Sequence, residues 1–479
     1  MEKKKIKLGF APTRRALARL LPEVARRDKN AIEAKLRAWN VEFVGIDWLN
    51  DTGCLVDPLD VPKVAARFKA EGVNALFVPH LNFGTEAPVA LLARELGKPV
   101  LIWGPRDGAP NPEDGERLQD TQCGLFATTA VLRRMGVPYT YIINSPLESA
   151  IFERGFRAFL GAATAANAFL GARVGQIATR PPAFWTMIEN EGELLERWNI
   201  QLVPTTLVEL TQVMMSKMKE NSAELKQTQR EIQATADFSQ VAEEPIVRMA
   251  ALKLAMLDFV ETNKLDALAV YCHRPFRVAT GVPACFTSGL LSDMGIPVGC
   301  ETDLHGVLTS LLAHAATLHT TPVIFADLTI RHPENDNAEL LWHCGNFPAS
   351  LAAKPEARGV RQHDDLYAAG MWEVKGGDIT IARVGGDHGR YSLCMGEAKG
   401  TTGPATYGTY VWVEMGNWPK WEEKFMYGPY IHHIAAVHGK VAPILYEACK
   451  YIPGLEPDPI EPAAEEIRAY WRGDDLAGK

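Results

Sequence analysis

The chain is poor in the features that mark several whole classes of protein. Its eight cysteines, at positions 54, 123, 272, 285, 300, 344, 394 and 449, are scattered with no CxxC pair. That pattern suits reduced thiols in a cytosolic protein better than a disulfide framework or a structural zinc site. No apolar run approaches the roughly 18 residues of a membrane-spanning helix, so no membrane partner is expected. Four lysines fall within the first ten residues, but residues 6–10 then alternate like a strand, without the apolar core of a signal peptide. The cytoplasm is the expected location. Basic charge is not in excess: 50 Lys and Arg against 58 Asp and Glu give a net charge of −8. That argues against nucleic acid as a partner, while a few arginines in one pocket would still hold a small anion. No GxGxxG follows the first strand, so dinucleotide binding has little support.

What is present is the composition of an ordinary globular protein, with length for two to four domains. Strands are expected over residues 5–10, 41–46, 75–79 and 99–103. Helices are expected over 13–39, 62–71 and 124–136, with Asp120 capping the last of these. A short strand over 139–144 and a helix over 147–171 follow. The alternation restarts at residue 174, with Pro181 or Pro182 placed to open a helix. Strands over 200–203, 266–271 and 296–299 then flank helices over 205–235 and 240–263, and another strand covers 323–327. Strands alternating with helices predict parallel sheets covered on both faces. Beyond about 330, frequent glycines punctuate short β-rich segments, read as an antiparallel sandwich or barrel. Helices over 434–451 and 462–472 end the chain. The resulting fold class is α/β: two flavodoxin-like parallel-sheet domains over 1–170 and 171–335, then a β-rich C-terminal domain over 336–479.

Chemistry concentrates at Cys300-Glu301-Thr302-Asp303-Leu304-His305-Gly306, where a strand ends and a helix begins, the usual ligand position in α/β folds. In an extended segment Glu301 and Asp303 point the same way, and two neighbouring carboxylates call for a cation or a proton between them. Asp327 closes the apolar run 323–327 as a third acid, offering either a metal ligand or a helix cap. Tyr430-Ile431-His432-His433-Ile434 is read as the start of the C-terminal helix, with one or both imidazoles available to a metal. In Trp342-His343-Cys344-Gly345-Asn346, His343 or Asn346 is placed to bond a sugar hydroxyl. Trp412, Trp418, Trp421, Phe425 and Tyr427 are assigned to the core or a subunit interface.

Taken in order, these segments resemble the L-fucose isomerase and L-arabinose isomerase superfamily of aldose–ketose isomerases. The resemblance rests on Asp120-Thr121-Gln122-Cys123-Gly124, Gly299 to Gly306, Phe325-Ala326-Asp327, His343-Cys344-Gly345-Asn346 and Gly428-Pro429-Tyr430-Ile431-His432-His433. It implies a catalytic Mn²⁺ or another divalent cation, and a homo-oligomer in which the first domain helps cover a neighbour's active site. It also implies metal ligation by Asp303 with Glu301 beside it, by His433 or its neighbour His432, and by Asp327. The catalytic proton transfer falls to Glu301 with Asp303, to a base from another domain, or to a different chemistry, and Gln122, His343 and Asn346 are the candidates to contact the sugar.

One departure stands out. The resemblance implies a glutamate after the strand at 266–271, where this chain has Tyr271-Cys272-His273-Arg274-Pro275-Phe276-Arg277. Pro275 occupies the glutamate position, and no acid occurs between Asp266 and Asp293. His273, Arg274 and Arg277 would instead hold an anionic group, because guanidinium binds sulfonate, phosphate or carboxylate through paired bonds. The reading is therefore a metal-dependent isomerase acting through an enediol on a monosaccharide, with a sulfonate-bearing hexose as a candidate substrate. The alternatives are a sugar-binding or regulatory protein on the same scaffold, or a metal-dependent lyase.

Overall fold

The computed structural model describes residues 5–16, 22–117, 119–361 and 368–476. They fall into two compact units, one of residues up to 167 joined by the segment after 464, the other of residues 168–464.

The first unit is built on five parallel strands in the spatial order Glu42–Val44, Lys7–Phe10, Ala75–Pro79, Val100–Trp103 and Thr140–Tyr141. This is the doubly wound flavodoxin order. Ala75–Pro79 is buried at every residue, as a central strand covered on both faces requires. On one face Phe77, Trp103, Phe152 and Phe156 interlock, with Trp103 and Phe152 ring centres 4.3 Å apart. Gly124 lets the helix Thr121–Arg134 lie against the preceding loop, since a Cβ there would sit 1.5 Å from the Phe83 carbonyl oxygen.

Two local expectations fail in this unit. The helix expected from Thr13 begins at Pro22 among the described residues. Thr13 is instead tied to neighbouring strand ends: its N–H donates to Pro79 O and its hydroxyl to Leu55 O. Residues 17–21 of that expected helix lie outside the described residues. Asp120 stands before the helix Thr121–Arg134 but in a left-handed conformation that does not cap. Its carboxylate accepts from Arg117 Nε at 2.6 Å, and Asp107 takes the Thr121 N–H at 3.0 Å instead.

The second unit opens with a four-stranded parallel sheet in the order Gln201–Thr205, Arg173–Ile177, Ala267–Val270 and Val298–Cys300. Pro181 and Pro182 open no helix; the chain turns there and enters the helix Glu191–Trp198, capped by Asn190. The helix expected over 205–235 is two, Leu207–Glu220 and Ala223–Thr235. Asn221 breaks it in a left-handed conformation and Ser222 caps the second piece.

From Ile324 a nine-stranded, mainly antiparallel sheet follows. Its strand Arg390–Thr401 also pairs with Thr409–Glu414, closing six strands into a barrel. Two readings are corrected here. Asp327 does not end a parallel strand; it lies mid-way along Ile324–Arg331 in the barrel. The double histidine does not start a helix: His433 opens the strand His433–His438, and the helix that follows is Ala442–Cys449. The run 434–437 is hydrogen-bonded on both sides, to Ile324–Arg331 and to Asp378–Asp387, so sheet pairing overrides its alanine content. The helix Leu304–Ala316 is buried along its whole length and packs on His433–His438 and Asp378–Asp387. It thereby brings the parallel sheet's acidic turn against the barrel. Among the described residues no helix is long and apolar enough to cross a membrane.

Candidate metal centre and active site

The site starts from the turn between Val298–Cys300 and Leu304–Ala316. Glu301 and Thr302 have φ of 60° and 59°, two left-handed residues in succession. Each costs about 1–2 kcal/mol, a strain typical of functional turns. The turn replaces the extended geometry expected for Glu301 and Asp303 and sends their carboxylates to different partners. Asp303 caps the helix, its Oδ1 accepting from Gly306 N–H at 2.8 Å. Arg383 Nη2 donates to Oδ1 at 3.0 Å and Arg383 Nη1 to Oδ2, while His433 Nδ1 lies 2.9 Å from Oδ2. Gly306 is needed for this: a Cβ would come within 2.5 Å of Asp303 Oδ2. Burial alone would raise the Asp303 pKa, but Arg383 and His433 outweigh it and hold the carboxyl well below its ordinary range.

With Asp303 behind it, the other imidazole nitrogen faces two more acids. His433 Nε2 lies 3.2 Å from Glu301 Oε2 and 3.3 Å from Asp327 Oδ1. Burial would depress the His433 pKa, but hydrogen bonds to Asp303 and Glu301 push it up to about 10. Glu301 is likewise held below its ordinary range: burial opposes ionisation, and His433 favours it more strongly. The second oxygen of Glu301, Oε1, lies 3.2 Å from His273 Nε2. Asp327 Oδ1 stands at ion-pair distance from His433 but has no hydrogen-bond donor among the described residues.

This donor set fits a divalent cation. Ligands in adjacent positions around a cation with bonds of about 2.1 Å stand about 3 Å apart, close to the separations found here. A carboxylate on Nδ1 leaves Nε2 as the donor nitrogen, the usual support for a metal-binding histidine. Asp327, His432 and His433 offer ligand atoms within 4.8 Å of one another.

The remaining residues singled out in the sequence divide by place. His343 is buried beside the cluster, its ring 6.3 Å from His433, with Nε2 unpartnered among the described residues. Burial lowers its pKa. Asn346 donates to Cys300 Sγ and Phe325 O, and its buried Oδ1 has no partner among the described residues. His273 precedes the helix Arg274–Thr280; Arg274 is exposed, and Arg277 is half-buried with its charge acting on Cys285 and Cys344. Gln122 belongs to the first unit and is exposed on Thr121–Arg134.

Three residues escaped the sequence reading. Arg383 carried a signal, a cation in phase with Ile379 and Ile381 along a buried strand, which demands a buried acid. Glu189 carried none. It is buried and accepts from His305 N–H at 2.7 Å, and burial followed by the Asp303 charge pushes its pKa well above the ordinary value. Arg180 joins Gln176, Glu189 and Thr302 in lining a cavity of about 410 Å³ at the carboxyl ends of the parallel strands.

The profile described as "Fucose/sulfoquinovose isomerase, N-terminal domain" matches residues 13–170. A sulfoquinovose isomerase of Priestia aryabhattai is 26% identical over 386 residues, covering 79% of this chain and 84% of the relative. One from Alkalicoccus urumqiensis is 26% identical over 330 residues, covering 68% and 72%. One from Clostridium sp. (strain MSTE9) is 24% identical over 315 residues, covering 65% and 68%. Residues 13–170 are thus similar to the N-terminal domain of fucose/sulfoquinovose isomerases, and the similarity to sulfoquinovose isomerases extends over most of the chain. The family match falls almost wholly within the first unit, whereas the donor cluster lies in the second. Among solved structures, a periplasmic solute-binding protein from Actinobacillus succinogenes 130z with bound D-allose aligns at a TM-score of 0.16 and 13% identity, covering 61% of this chain and 83% of that one, too low to bear on the fold.

Proposed function

We propose that this chain is a cation-dependent aldose–ketose isomerase acting on a sulfonate-bearing hexose. The observation that carries the reading is His433 Nε2 set between Glu301 and Asp327 with Asp303 behind it, in a chain whose relatives are sulfoquinovose isomerases. Glu301, Asp327 and His433, with His432 beside them, would hold the cation, Mn²⁺ or another divalent ion. When bound, it supplies Lewis acidity to the sugar's carbonyl and adjacent hydroxyl oxygens.

The chain's own residues do the rest. Asp303 and Arg383 are positioning residues that fix the His433 ring. Asp303 has both oxygens occupied, so it does not carry the proton. Glu301 has an imidazole on each oxygen. Asp327 Oδ1 is the carboxylate oxygen of the cluster without a hydrogen-bond donor among the described residues, and we assign to Asp327 the proton transfer between C2 and C1. The unpartnered His343 Nε2 and Asn346 Oδ1 are suited to sugar hydroxyls. For the sulfonate we favour Arg180, which lines the cavity beside Thr302, over Arg274 and Arg277. Gln122 and its exposed neighbour Phe126 suit a homo-oligomer in which the first unit covers a neighbouring copy's site.

The test is incubation of the metal-loaded chain with sulfoquinovose and with neutral aldohexoses. Cation-dependent formation of the sulfonated ketose is expected; no ketose from any of them overturns the proposal. The absence of any acid between Asp266 and Asp293 favours one rival, a sugar-binding protein without catalysis, which would bind the sulfonated sugar and leave its C2 proton in place.

A further inference from the structure

Glu301 shows its two oxygens to two different sets of donors. Oε2 faces His433 Nε2 at 3.2 Å, within reach of the cation proposed above. Oε1 faces His273 Nε2 at 3.2 Å, on the side of Cys272. Cys272, His273 and Glu301 offer one thiol, one imidazole and one carboxylate whose ligand atoms all lie within 4.8 Å of one another. The three come from two segments fixed side by side: the strands Ala267–Val270 and Val298–Cys300 are paired, Val270 opposite Cys300, and Thr302 N–H donates to Val270 O. A thiol adds what the Asp327–His433 side lacks, a soft donor. Thiolate with imidazole and carboxylate is a donor set for a borderline-soft ion such as zinc, and three protein ligands leave a fourth position open.

We propose that Cys272, His273 and Glu301 bind a thiophilic divalent cation of their own, with Glu301 bridging it to the cation held by Asp327 and His433. On binding, Cys272 gives up its S–H proton to solvent and coordinates as thiolate. The surroundings suit that role. Cys272 is partly accessible. The His273 ring is held by Phe184, edge to face at 5.2 Å, and by Tyr271, near-parallel at 5.8 Å. Cys300 stands opposite Val270 in the paired strand, and its thiol is pushed up in pKa by its neighbour Cys272 and by burial. This places a metal donor group in the segment where the acid is missing, and it does not depend on what reaction the chain catalyses.

The test uses the full chain without substrate, stripped by a chelator and kept in a non-chelating reductant so that its cysteines stay thiols. After reloading with Co²⁺ or Zn²⁺ and removal of excess, elemental analysis is expected to give two equivalents per chain. Cys272→Ser is expected to give one. The Co²⁺ form is expected to show intense thiolate-to-metal charge-transfer absorption, lost in Cys272→Ser and kept in His432→Gln. No thiolate band in the unaltered chain overturns the proposal even if Cys272→Ser fails to fold, whereas a single equivalent that carries the band overturns the Asp327–His433 cation and keeps this one. A band that survives Cys272→Ser overturns it too. The second equivalent rests on the cation site proposed above; the thiolate band, read without sugar, tests the Cys272 site apart from it.

Discussion

His433 Nδ1 and Asp303 Oδ2 lie 2.9 Å apart, both residues fully buried, one from the barrel and the other from the turn that ends the parallel sheet. Arg383 donates to both oxygens of the same carboxylate. The buried chain of guanidinium, carboxylate and imidazole sets which nitrogen of His433 faces Glu301 and Asp327.

Asp303→Asn keeps the shape and removes the charge. Metal affinity should fall about 10- to 100-fold, the usual cost of losing a carboxylate behind a metal-binding histidine. Arg383 would be left buried without its counter-ion, which costs about 3–5 kcal/mol. Metal titration and urea denaturation read the two effects separately.

Asp327→Asn should abolish exchange of the C2 proton. If cation binding is retained through Glu301, His432 and His433, the loss is of proton transfer and not of the metal. Single-turnover exchange on the metal-loaded variant checks this.

Arg180→Met should raise KM for a sulfonated aldose by about 10- to 100-fold, the worth of a charge-assisted contact, and leave a neutral aldose unchanged. Equal losses on both sugars would remove Arg180 from the sulfonate site.

Part of this arrangement is legible in the sequence, and the division has physical causes. The short βα period of the first 170 residues encodes the parallel sheet locally, and the acidic turn at Glu301 to Gly306 is local as well. The role of Asp327 is not, because an acid after an apolar run reads alike at a strand's end or in its middle; pairing with Trp342 and His433 decides. Ile434 to Val437 read as a helix because alanine and valine fit either state, and the two flanking strands settle it. Arg383 sits 80 residues from Asp303, beyond any periodic signal.

Stability should fall as the solution is acidified, in part through His80. Burial lowers its pKa from 6.5 to about 4. The unfolded chain then takes up the proton first as pH drops, so stability is lost from about pH 6.5 down to about pH 4. The contribution is about 3 kcal/mol for this shift. His80→Asn, which can still donate to the Phe83 carbonyl, should flatten the pH dependence of the urea midpoint over that window.

The most direct measurement of the central claim is proton NMR of the metal-loaded chain with sulfoquinovose in D₂O. Isomerisation through an enediol predicts that a sulfonated ketose forms and that deuterium enters C2 of the recovered aldose, both lost on removing the cation and both lost in Asp327→Asn. Binding of the sugar with its C2 proton retained and no ketose formed would contradict it.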